Sequence, residues 1–350
     1  MSEQNILGCM LGTAIGDSIG LPYEGFPPAR AKMVFGSPDR HRFVLGHGMV
    51  SDDTEHTCMV AQALIASGFE VNQFTRDFAW RLRFWLIKLP AGTGMATMRA
   101  ILKLWLGFPS HKSGVFSAGN GPAMRSAILG ASIDDPQLLR KLVKASTTIT
   151  HSDPKAEYGA YAVALAAQMA RQSNVVSCDT YLQQLKESLG AEGNELITLI
   201  TNAANSFKKG ESTESFAQSM GLTKGASGYV YHTVPIALHA WFSHQRDFKS
   251  AIISVISCGG DADTVAAITG GIIGAAVGKE GLPKDWLEKM VDWPLSIHWI
   301  EKLSHQLNTC IITPKKAKPI HLPLWGILPR NLIFLFIVLL HGLRRLFPPY

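Results

Sequence analysis

Two apolar runs built largely of small residues, "LGTAIGDSIG" from residue 11 to 20 and "ITGGIIGAAVG" from residue 268 to 278, constrain this chain more than anything else in it. They resemble each other. Glycine in an apolar helix leaves bare backbone against which a second helix can pack closely, so both read as central packing helices. The second is not read as a membrane span. Asp261 and Asp263 before it and Lys279 and Glu280 after it leave it short of the roughly 20 apolar residues a bilayer requires.

The rest of the pattern agrees. Apolar residues recur at helical spacing from Thr54 to Ser67, Ala156 to Ala170 and Leu196 to Phe207. Glycine and proline clusters such as "GLPYEGFPPAR" and "GLPKDW" separate these segments, and no clean alternating strands with hairpin turns interrupt them. With 350 residues, of which 47% are hydrophobic and 17% charged, the chain can bury a sizeable core. The expected fold is all-α, with many short helices and no solenoid repeat.

Charge is unevenly placed. Six of the 33 basic residues and none of the 27 acidic ones lie after residue 310, so the first 310 residues carry 27 of each. A neutral body argues against direct nucleic-acid binding, which needs a phosphate-neutralising face. The five cysteines, Cys9, Cys58, Cys178, Cys258 and Cys310, form no CxxC pair and suggest neither a disulfide framework nor a zinc knuckle. The N-terminal segment has no basic region ahead of an unbroken apolar core, so the expected location is the cytoplasm.

Three segments follow from composition: a body over residues 1–308, a basic, proline-containing linker over 309–330, and a hydrophobic tail over 331–350. The tail's unbroken apolar core, Leu332 to Leu340, is nine residues long and apolar on every side. Two readings stay open. It packs against the body or a partner, or it inserts shallowly into the inner face of a membrane, with Arg330, Arg344 and Arg345 among anionic headgroups at about 1 kcal/mol each.

Two acidic knots carry the chemistry: "SDDTE" (residues 51–55) and "GGDADT" (259–264). One reading is helix capping, with Asp52 and Glu55 as a capping box. A cap needs only one side chain, however, and each knot offers two carboxylates and a hydroxyl within four residues. Like charges so close repel unless a cation lies between them. Oxygen-only ligands suit Mg²⁺ or Mn²⁺ better than zinc, and two such knots brought together would make a two-metal site.

At this point the motifs "LGTAIGDSIGLPYEG", "SDDTE", "GNGPAMR", "THSDP" and "GGDADTVAAITGGIIGA" match a known order and spacing. Over about residues 5 to 300 the chain resembles the ADP-ribosylglycohydrolases, the family of the dinitrogenase reductase-activating glycohydrolase and the ADP-ribosyl-acceptor hydrolases. The resemblance implies an all-α fold with a dinuclear Mg²⁺ or Mn²⁺ cleft. It also implies cleavage of the glycosidic bond between ADP-ribose and its acceptor, which is an ADP-ribosylated protein or a small molecule. The implied metal ligands are Ser51, Asp52, Asp53, Asp261, Asp263 and Thr264, with Asp263 as the bridge. Glu24 matches a mobile glutamate near the scissile bond, and Asp52 and Asp53 join it in the catalytic set. Gly119, Asn120 and Gly121 match the segment that receives the distal ribose and phosphates, and His151 a residue near the ADP portion.

Two departures are visible. Ser51 stands where many relatives have Thr, which keeps an oxygen ligand. Ser117 stands where the nitrogenase-regulating enzymes carry an acid tied to arginine-linked substrates, so an arginine linkage is not implied. The other readings are a non-catalytic, crystallin-like binding protein, in which the knots would be lost, and a metal hydrolase of another nucleotide ester.

Overall fold

A computed structural model describes residues 2–313, 315–344 and 346–348. Among these, eighteen α-helices and three short 3-10 turns carry the fold, and the only sheet-like contacts are six isolated bridges. The expected all-α architecture is what forms. The segments read as helical lie within the helices Asp52–Ser67, Pro154–Gln172 and Asn194–Lys208.

The two glycine-rich runs are the axis of the molecule. The first lies in the helix Glu3–Gly20, whose N-terminus closes through a reciprocal capping box between Ser2 and Asn5. The second is the helix Ala262–Val277. A Cβ added at Gly12 would lie 2.2 Å from the Gly270 carbonyl oxygen, and one at Gly16 would lie 2.1 Å from that of Ala266. No side chain larger than hydrogen fits there. Gly8 faces Gly274 and Gly20 faces Asp263, so the pair is antiparallel and the contact repeats every four residues along one face. This brings the end of the first helix, with Asp17 and Gly20, beside the start of the second, with Asp263.

The helices Asp52–Ser67, Pro154–Gln172, Val230–Ser243 and Ile297–Ile312 pack around this axis. Inward side chains of these helices and of the axis, among them Ile15, Val60, Ala164, Ile236, Ile268 and Leu303, form one continuous buried cluster. Each of the larger ones, such as Val60, Ile236, Ile268 and Leu303, contributes about 1.5–3 kcal/mol by leaving water. The five cysteines are buried and unpaired.

The C-terminal region differs from its sequence reading. The Ile297–Ile312 helix runs past residue 308, residues 315–322 cross the body without helix, and a 21-residue helix, Leu324–Arg344, begins inside the stretch read as linker. Ala317 donates its N–H to the Ile65 carbonyl, and Gln62 and Gln306 bind the backbone at residues 318 to 320, so the crossing segment is tied down. Arg330, placed among headgroups in one of the two readings of the tail, is instead 6% exposed and ion-paired with Asp292 and Glu55 at 2.6 and 2.8 Å, as packing on the body requires. The buried carboxylate of Asp292 and the half-buried one of Glu55 draw it inward. Arg345 lies outside the described residues.

The helix is apolar on its outer face, where Trp325, Leu332, Ile333, Phe336 and Leu339 are all more than half exposed. Its polar anchors point inward: Arg330, Asn331, which donates to the Lys88 carbonyl, and His341, which contacts the Phe43 carbonyl. This reverses the usual polarity of a surface helix.

Candidate active site

Both knots sit at helix N-termini, where the macrodipole and free N–H groups favour negative charge. In the first, the cap is Ser51 and not Asp52: Ser51 Oγ accepts from the Asp53 N–H, and Asp52 is the first helical residue. Glu55 completes no capping box. Its two oxygens take Arg330 and the Trp85 indole N–H, because these lie buried on the side of the helix away from the cleft. In the second knot Asp261 occupies the cap position without capping, and accepts instead from Asn120 Nδ2 at 2.6 Å.

The antiparallel axis and the Asp52–Ser67 helix bring the knots together. Thr264 Oγ1 donates to Asp53 Oδ2 at 3.3 Å, and Ser51 Oγ donates to the same oxygen at 3.2 Å. Ser51, Asp52, Asp261, Asp263 and Thr264 line one cleft of about 700 Å³. Asp53 stands directly behind, 1% exposed. Glu24 lines the same cleft, at the end of the Leu21–Tyr23 turn. Its position is coupled to the second knot through backbone bonds from Gly25 N–H to the Gly260 carbonyl and from Gly260 N–H to the Phe26 carbonyl.

Ser117, Gly119, Asn120, Gly121 and His151 also line the cleft. The glycines serve close approach: a Cβ at Gly119 would lie 2.8 Å from His151 Nε2, and one at Gly121 would lie 3.2 Å from Cε1 of that ring. Arg125 of the same motif is buried away from the cleft. It donates to Ser146 Oγ, the Ser146 carbonyl and Thr150 Oγ1, and Thr150 Oγ1 in turn meets His151 Nδ1 at 2.9 Å. Burial, and then the charge of Arg125, push His151 down to about 3, so its ring is neutral.

With this geometry in place, comparison with known proteins decides the family. Residues 2–316 match the sequence profile of the ADP-ribosylglycohydrolase family. The chain belongs to that family. Among its relatives is the ADP-ribosyl-[dinitrogen reductase] glycohydrolase of Rhodospirillum rubrum, 27% identical over 81% of this chain and 89% of that protein. ADP-ribosylhydrolase ARH3 of Gallus gallus is 27% identical over 80% and 87% respectively. A solved ADP-ribosylglycohydrolase-related protein complex superposes with a TM-score of 0.67 at 26% identity, covering 88% of this chain and 98% of that one.

This family member has an acid that the sequence reading did not single out. Asp17, fully buried in the first glycine run, accepts from the Ser51 N–H at 2.8 Å, the Thr54 N–H at 3.2 Å and Thr54 Oγ1 at 2.5 Å. It fixes the turn that aims Ser51 and Asp53. Its signal was a lone acid inside an apolar run. Leu21, within the first motif but not singled out there, and Ala91, Gly92, Met95, Phe334 and Val338, which no site motif marked, also line the cleft.

Whether cations suit these residues is answered by the carboxylates. Asp17 Oδ1, Asp53 Oδ1 and Asp263 Oδ1 are buried without a hydrogen-bond donor. Burial, together with repulsion from neighbouring acids, holds Asp52, Asp53 and Asp263 well above the usual carboxylate range, and burial pushes Asp17 to about 6. Among the described residues, no three His, Cys, Asp or Glu groups stand close enough together to hold a metal ion between them. The acids ring the cleft with Ser51 and Thr264 hydroxyls between them, an all-oxygen donor set that fits hard divalent ions.

Proposed function

We propose that this protein is a metal-dependent hydrolase that releases ADP-ribose from a modified protein or small acceptor by cleaving the glycosidic bond. One observation carries the reading: two acidic knots more than 200 residues apart share a cleft, with buried carboxylate oxygens that have no donor and with Glu24 beside them. Ser51, Asp52, Asp53, Asp261, Asp263 and Thr264 would hold two Mg²⁺ or Mn²⁺ ions. When bound, such ions supply Lewis acidity toward ribose hydroxyls and an activated water.

The chain's own residues do the rest. Asp17 holds the Ser51–Thr54 turn through three accepted hydrogen bonds, so the first knot keeps its orientation. Asn120 Nδ2 orients Asp261. Glu24, which lines the same cleft, would move a proton at the atom linking acceptor and anomeric carbon, the step that makes an acceptor a competent leaving group. Gly119, Gly121 and neutral His151 offer a compact wall for the ADP portion, with Ser117 at its edge. Its location is proposed to be the cytoplasm, at the inner face of a membrane, on the strength of the outward apolar face of the Leu324–Arg344 helix.

The test is release of ADP-ribose from ADP-ribosyl-arginine, ADP-ribosyl-serine and O-acetyl-ADP-ribose, each with Mg²⁺, with Mn²⁺ and with chelator. Turnover of at least one, abolished by chelator, is expected. No release from any of them with either ion overturns the reading.

A further inference from the structure

The C-terminal helix lies beyond the residues matched by the family, yet it reaches the cleft. Phe334, 2% exposed, packs with Leu21, Phe43, Met49 and Ala91, and Val338 beside it faces the cavity. These neighbours locate the helix. Leu21 accepts the Glu24 N–H, and a Cβ on Gly92, next to Ala91, would lie 3.5 Å from Asp52 Oδ1. The helix therefore flanks Glu24 and the first knot. The glycine segment 119–121 flanks the second knot, through the Asn120–Asp261 bond.

The helix is also locked in place. Arg330 donates to both oxygens of Asp292, at 3.0 and 2.6 Å, and to Glu55 and the Val50 carbonyl, while the Val50 N–H donates to Asp292 at 3.0 Å. Val50 immediately precedes Ser51. One buried guanidinium thus joins the helix to the backbone that leads into the first knot. A merely adhering tail would not need a buried charge network, and a solvated one would not bury Phe334.

We propose that the Leu324–Arg344 helix is a specificity-determining wall of the cleft, where Val338, held in place by the buried Phe334, packs against the acceptor side of the substrate and limits which acceptors enter. This rests on the functional reading above, in which Glu24 marks the leaving-group side. An apolar wall discriminates by shape, so filling it excludes large acceptors, and emptying it relaxes the choice between them.

Val338 is half-buried, so it can be changed in either direction with little risk to folding. Val338→Trp and Val338→Ala would be compared with wild type in Mg²⁺, by calorimetric binding of free ADP-ribose and of an ADP-ribosyl-serine peptide, and by kcat and KM on the three acceptors. For Val338→Trp a loss of about tenfold in peptide affinity is expected, with free ADP-ribose binding unchanged. Val338→Ala should shift the ratio of kcat/KM between acceptors toward the larger ones. Unchanged peptide binding and acceptor ratios in both folded variants overturn the wall. An equal loss of free ADP-ribose affinity in Val338→Trp places the helix on the ADP-ribose side and also overturns it. Wild-type protein that binds neither ligand overturns both this proposal and the functional reading, whereas wild-type turnover indifferent to Val338 overturns the wall alone.

Discussion

Thr264 Oγ1 donates to Asp53 Oδ2 across 3.3 Å, joining the starts of two helices that lie 211 positions apart in the chain. That bond sits among five buried or half-buried aspartates, Asp17, Asp52, Asp53, Asp261 and Asp263, whose charges oppose one another.

A first prediction uses this opposition. At about pH 8 without metal, ionising the buried Asp53 and Asp263 costs stability, because an unpaired buried charge is unfavourable. Asp263→Asn removes one such charge, so in chelator its melting temperature should exceed that of wild type. Mg²⁺ or Mn²⁺ should raise the wild-type melting temperature, since a ligand that binds only the folded state stabilises it by about 2.7 kcal/mol at a hundred times its Kd. The variant should lose most of that rise. Equal metal-induced shifts in both proteins would remove Asp263 from the ligand set.

The helix axis gives a second. Gly12→Ala sets a methyl 2.2 Å from a carbonyl oxygen of the partner helix, backbone that cannot step aside locally. Separating the two helices costs more than the typical 1–3 kcal/mol of overpacking, so little soluble folded protein should be recovered. Gly342→Ala, where nothing lies within 4 Å, should be neutral or stabilising by up to about 1 kcal/mol through helix propensity. Normal circular dichroism and melting for Gly12→Ala would refute the close approach.

Much of this was legible in the chain because it rests on local chemistry. Glycine spacing announced the packed axis, and two carboxylates beside a hydroxyl announced each half of the site. Asp17 was less visible, because its role is set by Ser51 and Thr54, which reach it only after folding. The C-terminal helix was misjudged for a similar reason. Pro329 and the prolines before the helix read as a linker, and one of the two readings put Arg330 at a membrane surface, since nothing in sequence places it against Asp292 and Glu55.

That clamp supplies a third prediction. Arg330→Met leaves Asp292 and Glu55 buried without their cation, which should cost about 3–5 kcal/mol in denaturant unfolding. Adding Asp292→Asn to Arg330→Met should recover part of the loss. A cost below about 1 kcal/mol, the scale of an exposed pair, would mean that the clamp does not form.

A fourth concerns acid. His239 is fully buried, stacked on Phe216 at 4.9 Å with Nδ1 on Thr213, and burial lowers it from 6.5 to about 4 although Glu211 pulls the other way. The folded protein thus keeps this ring neutral where the unfolded chain takes up a proton. Its contribution is fully present above pH 6.5 and lost as pH falls toward 4, with a slope of up to about 1.4 kcal/mol per pH unit. Knot carboxylates held above their usual range titrate with the opposite sign over part of this window, so the readout is a difference. His239→Phe keeps the stack and should lose less stability than wild type on acidification. Parallel stability curves from pH 7 to pH 4 would sink this assignment.

The last prediction concerns the outer face of the C-terminal helix. Phe336 and Leu339 are 61% and 58% exposed, and nothing acidic lies in the chain after residue 310. Burial in an acyl boundary would repay roughly 25 cal/mol per Å² of apolar surface, and Arg344 would add attraction to anionic headgroups. The helix is clamped to the body along its inner face, so the binding expected is shallow and parallel to the surface rather than spanning. Full-length protein should pellet with vesicles containing phosphatidylserine or phosphatidylglycerol, and more weakly with neutral phosphatidylcholine. Phe336→Ser with Leu339→Ser leaves the clamp and the cleft residues in place, so it should abolish pelleting without altering the melting temperature or metal response. Wild-type protein that stays in the supernatant with anionic vesicles would rule out the membrane as the surface this face meets.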